Sequence, residues 1–301
     1  MMNKDKVVKS VVTFISLSYI FMSFVFYVVL KGKIPDFTQP LDFWKIILIM
    51  STPALSSCIT ARIFKEKYLT KNEIWGFLNR WHLIALFLPI VLMMLSSFFS
   101  LILYSKLSFN SQLTGAIEFN KDLPIDLKYR MLDQMSDSPL ANLFGMTLSG
   151  LSQAWSLSML LALGEELGWR GYLLKKLEPF GFWTSVFVIG PVWGLWHYPL
   201  ILKGYNYPSN PKLGVLMMMV ACTAITPIMI YITKKSKSVW AAAIFHGSFN
   251  SFTAFAFLPI HGETTTFETG FLGLSRVLAC LFCFLIFILL EKAQTNLKYF
   301  V

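Results

Sequence analysis

The sequence predicts an all-α fold, a polytopic membrane bundle of about eight transmembrane helices. Three observations predict it. Of 301 residues, 55% are hydrophobic and 14% charged, against the roughly one quarter charged of a soluble domain. The apolar residues fall into runs mostly near the ~20 residues a helix needs to cross the hydrocarbon core. Lys and Arg gather in alternate connections between those runs, as membrane topology demands.

The chain begins with a short basic stretch, Lys4, Lys6 and Lys9, ahead of an apolar run at 11–30. Val28-Val29-Leu30-Lys31 offers no small-residue cleavage site, so this run is read as the first span rather than a signal peptide. Further spans are predicted at 43–63, 81–104, 143–174, 182–201, 213–233, 239–258 and 271–290. One set of connections carries Arg62, Lys65, Lys67, Lys71 and Arg80, then Lys175 and Lys176, then Lys234, Lys235 and Lys237, with Lys292 and Lys298 in the tail. That bias predicts a cell-membrane protein with both termini cytoplasmic. The outer connection with Glu263 and Glu268 and no base agrees.

The long polar segment 105–138, with an amphipathic piece at Leu127, Met131 and Met135, is read first as an outer tether joining the third and fourth spans, and otherwise as an interfacial helix or a lid. The expected organisation is therefore an N-terminal three-helix region with its outer loop at 1–138, a central bundle at 139–258, and a last helix with its tail at 259–301. The net charge of +10 does not imply nucleic acid as a partner, because the basic residues are scattered between apolar runs and form no binding module. The lipid bilayer is the partner implied. The four cysteines all lie in apolar segments and are read as small hydrophobes, with neither a disulfide framework nor a Cys-based metal site.

Polar side chains interrupt three of the spans. The first cluster is Glu165-Glu166-x-x-x-Arg170. Ionised groups at the membrane centre each cost about 2.5–3.5 kcal/mol on insertion scales, so they need partners. Glu166 and Arg170 stand four apart, acid first, and are expected to pair. Glu165 is rotated by about 100° and left over, an unpaired carboxyl suited to general acid–base work. The other clusters are Trp193-Gly194-Leu195-Trp196-His197 and His246-Gly247-Ser248-Phe249-Asn250. Counted from the cytoplasmic side, Glu165, His197, His246 and Asn250 all lie about 10–21 Å deep, and the neighbouring Gly168, Gly171, Gly194 and Gly247 let backbones approach. The three helices are thus expected to share one polar cavity. Taken singly, each cluster has a structural explanation, a buried ion pair or a histidine bonded to a carbonyl.

In that order, E-E-x-x-x-R, aromatic-x-x-x-H and H-x-x-x-N resemble the motifs of the CPBP family, the type II CAAX prenyl endopeptidases and the bacteriocin-processing or self-immunity proteins. The resemblance covers about 143–258 and departs at Trp193, where Phe is common. It implies an intramembrane endopeptidase acting on a lipidated or otherwise membrane-associated peptide or membrane-protein substrate. Glu165 with His197 would activate water, His246 and Asn250 would stabilise the oxyanion, and Glu166 and Arg170 would hold them in place. Members are described both as metalloproteases and as glutamate proteases. Glu165, His197 and His246 would make a His₂Glu set for a divalent metal such as zinc. Two other classes fit the same residues: a non-catalytic immunity or resistance scaffold, and a proton-coupled transporter.

Overall fold

Five of the predicted spans are long apolar helices in the computed structural model of the protein, which describes residues 4–35, 42–119, 125–135, 137–154, 158–270 and 272–293. They are α1 (Lys4–Ser23, continued by a π-helical turn Phe24–Val29), α2 (Phe43–Ile63), α4 (Arg80–Leu103), α12 (Pro211–Ser236) and α14 (Leu274–Ala293). Between α2 and α4 lies the short α3 (Lys71–Trp75), closed by a reciprocal capping box in which Thr70 and Glu73 bond each other's backbone amides. The chain is an all-α, multi-pass membrane bundle.

The other three predicted spans differ from expectation, and they are the ones that carry the polar clusters. The run 143–174 comprises α7 (Pro139–Gln153) and α8 (Met159–Glu166), the latter continued by π-helical turns Leu167–Leu173 and by α9 (Leu174–Leu177); residues 155–157 of that run lie outside the described set. The run 182–201 divides into α10 (Phe182–Trp196) and α11 (Tyr198–Ile201), with His197 at the break. Pro199 explains the division, since it has no N–H to donate back to the carbonyl of Leu195. The run 239–258 ends early, as α13 (Val239–Ser251) tightens into a 3₁₀ turn at Thr253–Ala256. Ser251 and Thr253 there bond back to the carbonyls of Gly247 and Phe249, a pattern that loosens a helix end.

The segment 105–138 is more than a tether. Strand β1 (Leu107–Phe109) pairs antiparallel with β2 (Ile260–Gly262), with Ser108 opposite His261, and two short helices follow, α5 (Gly115–Phe119) and α6 (Ile125–Asp133). The expected amphipathic side chain of Leu127 and the tail residue Lys298 lie outside the described set.

α12 is the most enclosed of the long helices and packs along α10 and against α13 and α14; α8 is wedged between α2 and α13. Close approach is built into the sequence. A Cβ added at Gly168 would stand 2.6 Å from Pro53 of α2, and one at Gly194 would stand 2.5 Å from the Cα of Met219 in α12. Either contact would push apart the helices that frame the polar clusters.

Candidate active site

α8, α10 and α13 bring Glu165, His197, His246 and Asn250 to the wall of one cavity, with Trp193, Trp196, Tyr205, Asn206 and Cys222 beside them. The cavity has about 100 Å³ accessible to water-sized molecules, more than the ~30 Å³ share of one liquid water. Its remaining wall is apolar and includes Ile46, Ile49 and Met50 of α2 and Met218, Ile225 and Met229 of α12.

The expected ion pair is present and fully enclosed. Arg170 Nη1 donates to Glu166 Oε1 over 3.1 Å, both side chains being 0% exposed. Glu166 Oε1 also lies 2.9 Å from His246 Nδ1. The Arg170 guanidinium makes a longer bond to Thr226 Oγ1 of α12 at 3.4 Å. Glu166 and Arg170 thus tie α8 to both α12 and α13, and a carboxylate with cationic and donor groups around it is the arrangement a buried charge requires. The π-helical turns begin directly after Glu166, and such widened turns recur at functional sites.

Glu165 faces the cavity and is 3% exposed. Its Oε2 accepts the indole N–H of Trp193 over 2.7 Å. Trp193 does more than the packing expected of an aromatic residue at that position. Its ring face lies 4.1 Å from the Arg170 guanidinium, a cation–π contact. The His246 ring meets it at 5.4 Å and 74°, and the His197 ring at 6.1 Å. One indole therefore touches four members of the predicted set, Glu165 through its N–H and Arg170, His197 and His246 through its ring.

His197 has its Nδ1 2.9 Å from the carbonyl of Trp193, four residues back. A carbonyl only accepts, so Nδ1 carries the proton and Nε2 of a neutral ring is left as an acceptor. The ring is fixed further by the edge of Trp196 at 4.8 Å. On His246 the Glu166 carboxylate takes the Nδ1 side and leaves Nε2 as the second functional atom. The other two histidines are elsewhere. His82 belongs to the N-terminal capping box of α4 with Asn79, and His261 pairs with Glu118 on the ribbon.

The three residues that the resemblance offers to a divalent metal, Glu165, His197 and His246, share the cavity. Glu165 Oε2 and His246 Nδ1 are already bonded to Trp193 and Glu166, and among the described residues no three His, Cys, Asp or Glu side chains converge as a ligand set. Glu165 Oε1 and the Nε2 atoms of His197 and His246 take no part in those bonds, and no step below runs through a metal.

Sequence reasoning missed the hydrogen bond of Trp193 and the contribution of Tyr205 and Asn206. The indole lay in plain view inside the second motif, whereas the turn at 204–207 carried no signal beyond Gly204 and Asn206.

The cavity gathers a glutamate, two histidines and two asparagines, with the Glu166–Arg170 pair behind them, residue types from which a hydrolytic site can be built. Comparison with known proteins agrees. Residues 147–252 match the family described as type II CAAX prenyl endopeptidase, Rce1-like. A protein of Methanococcus maripaludis named CAAX prenyl protease 2 is 34% identical over 124 residues, 39% of this chain and 45% of that protein. The chain thus spans less than half the length of this curated relative.

Proposed function

We propose that the protein is an intramembrane endopeptidase that hydrolyses a peptide bond in a lipidated or membrane-associated substrate. The observation that carries the reading is the meeting of Glu165, His197, His246 and Asn250 on the wall of one cavity, within the segment that matches a peptidase family.

Peptide hydrolysis adds the oxygen of water to the carbonyl carbon, breaks the C–N bond, and delivers a proton to the leaving nitrogen. Glu165, held by Trp193 through Oε2, takes a proton from the water through Oε1, and His197 Nε2 accepts the water's second hydrogen bond and orients it. The carbonyl oxygen becomes an oxyanion in the space between His246 Nε2 and the Asn250 amide, donors of the type that stabilise such charge by about 2.7–4 kcal/mol each. Glu166 accepts the Nδ1–H of His246 and holds that ring as the imidazolium from start to finish, so that Nε2 keeps its own proton and can donate to the oxyanion. The proton on Glu165 then passes to the leaving amine, and both carboxylates end as they began. The apolar wall formed by α2 and α12 suits a lipid or apolar side chain beside the scissile bond.

Purified protein in liposomes, given a fluorogenic peptide with a prenylated cysteine near its C-terminus, should release the C-terminal fragment with saturable kinetics. Absence of turnover across peptide lengths and lipid modifications, alongside a retained immunity or resistance phenotype, would favour a binding scaffold instead.

A further inference from the structure

The two most exposed large apolar side chains among the described residues are chain neighbours, Phe77 at 84% and Leu78 at 81%. They form the tip of the elbow between α3 and α4, just ahead of Arg80, the first residue of α4. The helices on either side of this connection, α2 and α4, are both long and apolar enough to span, so the elbow lies beside a bilayer surface.

Its inner side is held against the bundle. The Ser238 hydroxyl donates to the carbonyls of Trp75 at 2.6 Å and Ile74 at 3.1 Å, and the Asn79 amide donates to the Ser236 carbonyl at 3.1 Å. Gly76, with φ +63°, permits this approach, since a Cβ there would stand 2.7 Å from the Cβ of Ser238. Ser238 is also the N-cap of α13, the helix that carries His246 and Asn250. With the inner side occupied, Phe77 and Leu78 are left on the side away from the bundle.

Aromatic rings flank the tip. Trp75 meets Trp240 edge-on at 4.9 Å, and Trp81 meets Tyr231 at 5.2 Å. Bands of Trp and Tyr of this kind mark headgroup depth. Three exposed cations accompany them: Lys71 opens α3, Arg80 opens α4, and Lys237 caps α12 beside Gly76. None of the three takes a carboxylate partner among the described residues, and Glu73 on the same elbow is held by Lys175. In water, two such apolar side chains would be unfavourably placed. At the surface of an anionic leaflet, an apolar tip ringed by cations is stabilised by both of its parts.

We infer that the elbow between α3 and α4 is a binding site for anionic phospholipid. Phe77 and Leu78 enter the boundary of the acyl chains, and Lys71, Arg80 and Lys237 hold the phosphates, Arg80 through its guanidinium fork. A lipid is the occupant because the elbow joins two spans and carries its rings at headgroup depth. Since the elbow is bonded to the N-cap of α13, lipid capture stabilises the bundle as a ligand does. The inference is independent of the peptidase reading.

The test compares wild type with the triple variant Lys71→Gln, Arg80→Gln, Lys237→Gln in nanodiscs of phosphatidylcholine, with and without phosphatidylglycerol. Wild type should gain about 5 °C or more in Tm from phosphatidylglycerol. The triple variant should lose most of that gain and keep the wild-type Tm in phosphatidylcholine alone. Equal gains in the two proteins would overturn the inference, as would no gain in wild type. The apolar half is read with a nitroxide on Leu78→Cys in a Cys58→Ala background, the other three cysteines being buried. The label should be more accessible to oxygen than to a water-soluble nickel chelate. The reverse order would put the tip in water, and shielding from both reagents would mean that protein covers it, such as a second copy of this chain. Either result would overturn the inference.

Discussion

Trp193→Phe leaves an aromatic ring against Arg170 and the two imidazoles and removes one hydrogen bond, the 2.7 Å bond from the indole to Glu165 Oε2. Hydrogen bonds to charged groups contribute about 1.5–3 kcal/mol. If the bond aims the carboxylate at the attacking water, its loss should be felt in the chemical step. At 1.36 kcal/mol per decade, that range corresponds to about a 10- to 150-fold lower kcat. The phenyl ring is smaller, so some packing is lost as well, and Tm should fall modestly. The assay is steady-state cleavage of the prenylated fluorogenic peptide in liposomes, with the folded fraction measured in the same preparation. KM should change little, because Glu165 acts on water and not on peptide binding. A wild-type kcat in Trp193→Phe would refute the positioning role, and a loss confined to KM would transfer Trp193 to the substrate-binding wall.

Three further outcomes follow from the same geometry. Arg170→Ala should strand the buried Glu166 carboxylate and destabilise the bundle by about 3–5 kcal/mol, read as a large drop in Tm or in accumulation; unchanged stability would mean that the pair of Glu166 and Arg170 is not structural. Where α3 meets α9, partial burial would push the Glu73 carboxyl up, but bonds from Lys175 and from the Thr70 amide and hydroxyl outweigh it and hold it down at about 2. Its ordinary value of 4.5 therefore sets the window. The stabilisation by Glu73 is complete above about pH 4.5 and is lost as pH falls towards 2, so the Tm gap between wild type and Glu73→Gln should shrink over that range; a gap independent of pH would contradict it. Since more than a third of the Glu73 side chain is exposed, the gap itself should be small. With both termini cytoplasmic, a reporter fused after Val301 should be active only when it requires the cytoplasm, and activity on the outer side would reverse the assignment.

The long spans were legible because membrane crossing imposes a single strong requirement, an uninterrupted apolar length, and α2, α4, α12 and α14 meet it nearly residue for residue. Hydropathy alone failed where chemistry competes with length. Pro199 breaks α10 from α11 although the run reads as apolar throughout, and the sequence did contain that signal. The π-helical turns after Glu166 carry no such signal in the sequence. The convergence of Glu165, His197, His246 and Asn250 could be read from depth and order, because a helix fixes axial position at about 1.5 Å per residue. What stayed hidden was direction across the bundle. Whether an indole points at a carboxylate, or whether the turn at Asn206 faces the cavity, depends on helix rotation and on pairings such as β1 with β2, which join residues more than a hundred positions apart.

The central claim is that Glu165 is the proton acceptor for hydrolysis. Glu165→Gln preserves the size of the side chain and an oxygen to accept the Trp193 indole N–H, while removing the base. Cleavage of the prenylated fluorogenic peptide by matched liposome preparations of wild type and Glu165→Gln tests it directly. The account predicts at least a 100-fold lower kcat in Glu165→Gln, within the range general-base catalysis contributes, with Tm and peptide Kd retained. Equal rates in the two proteins would contradict it.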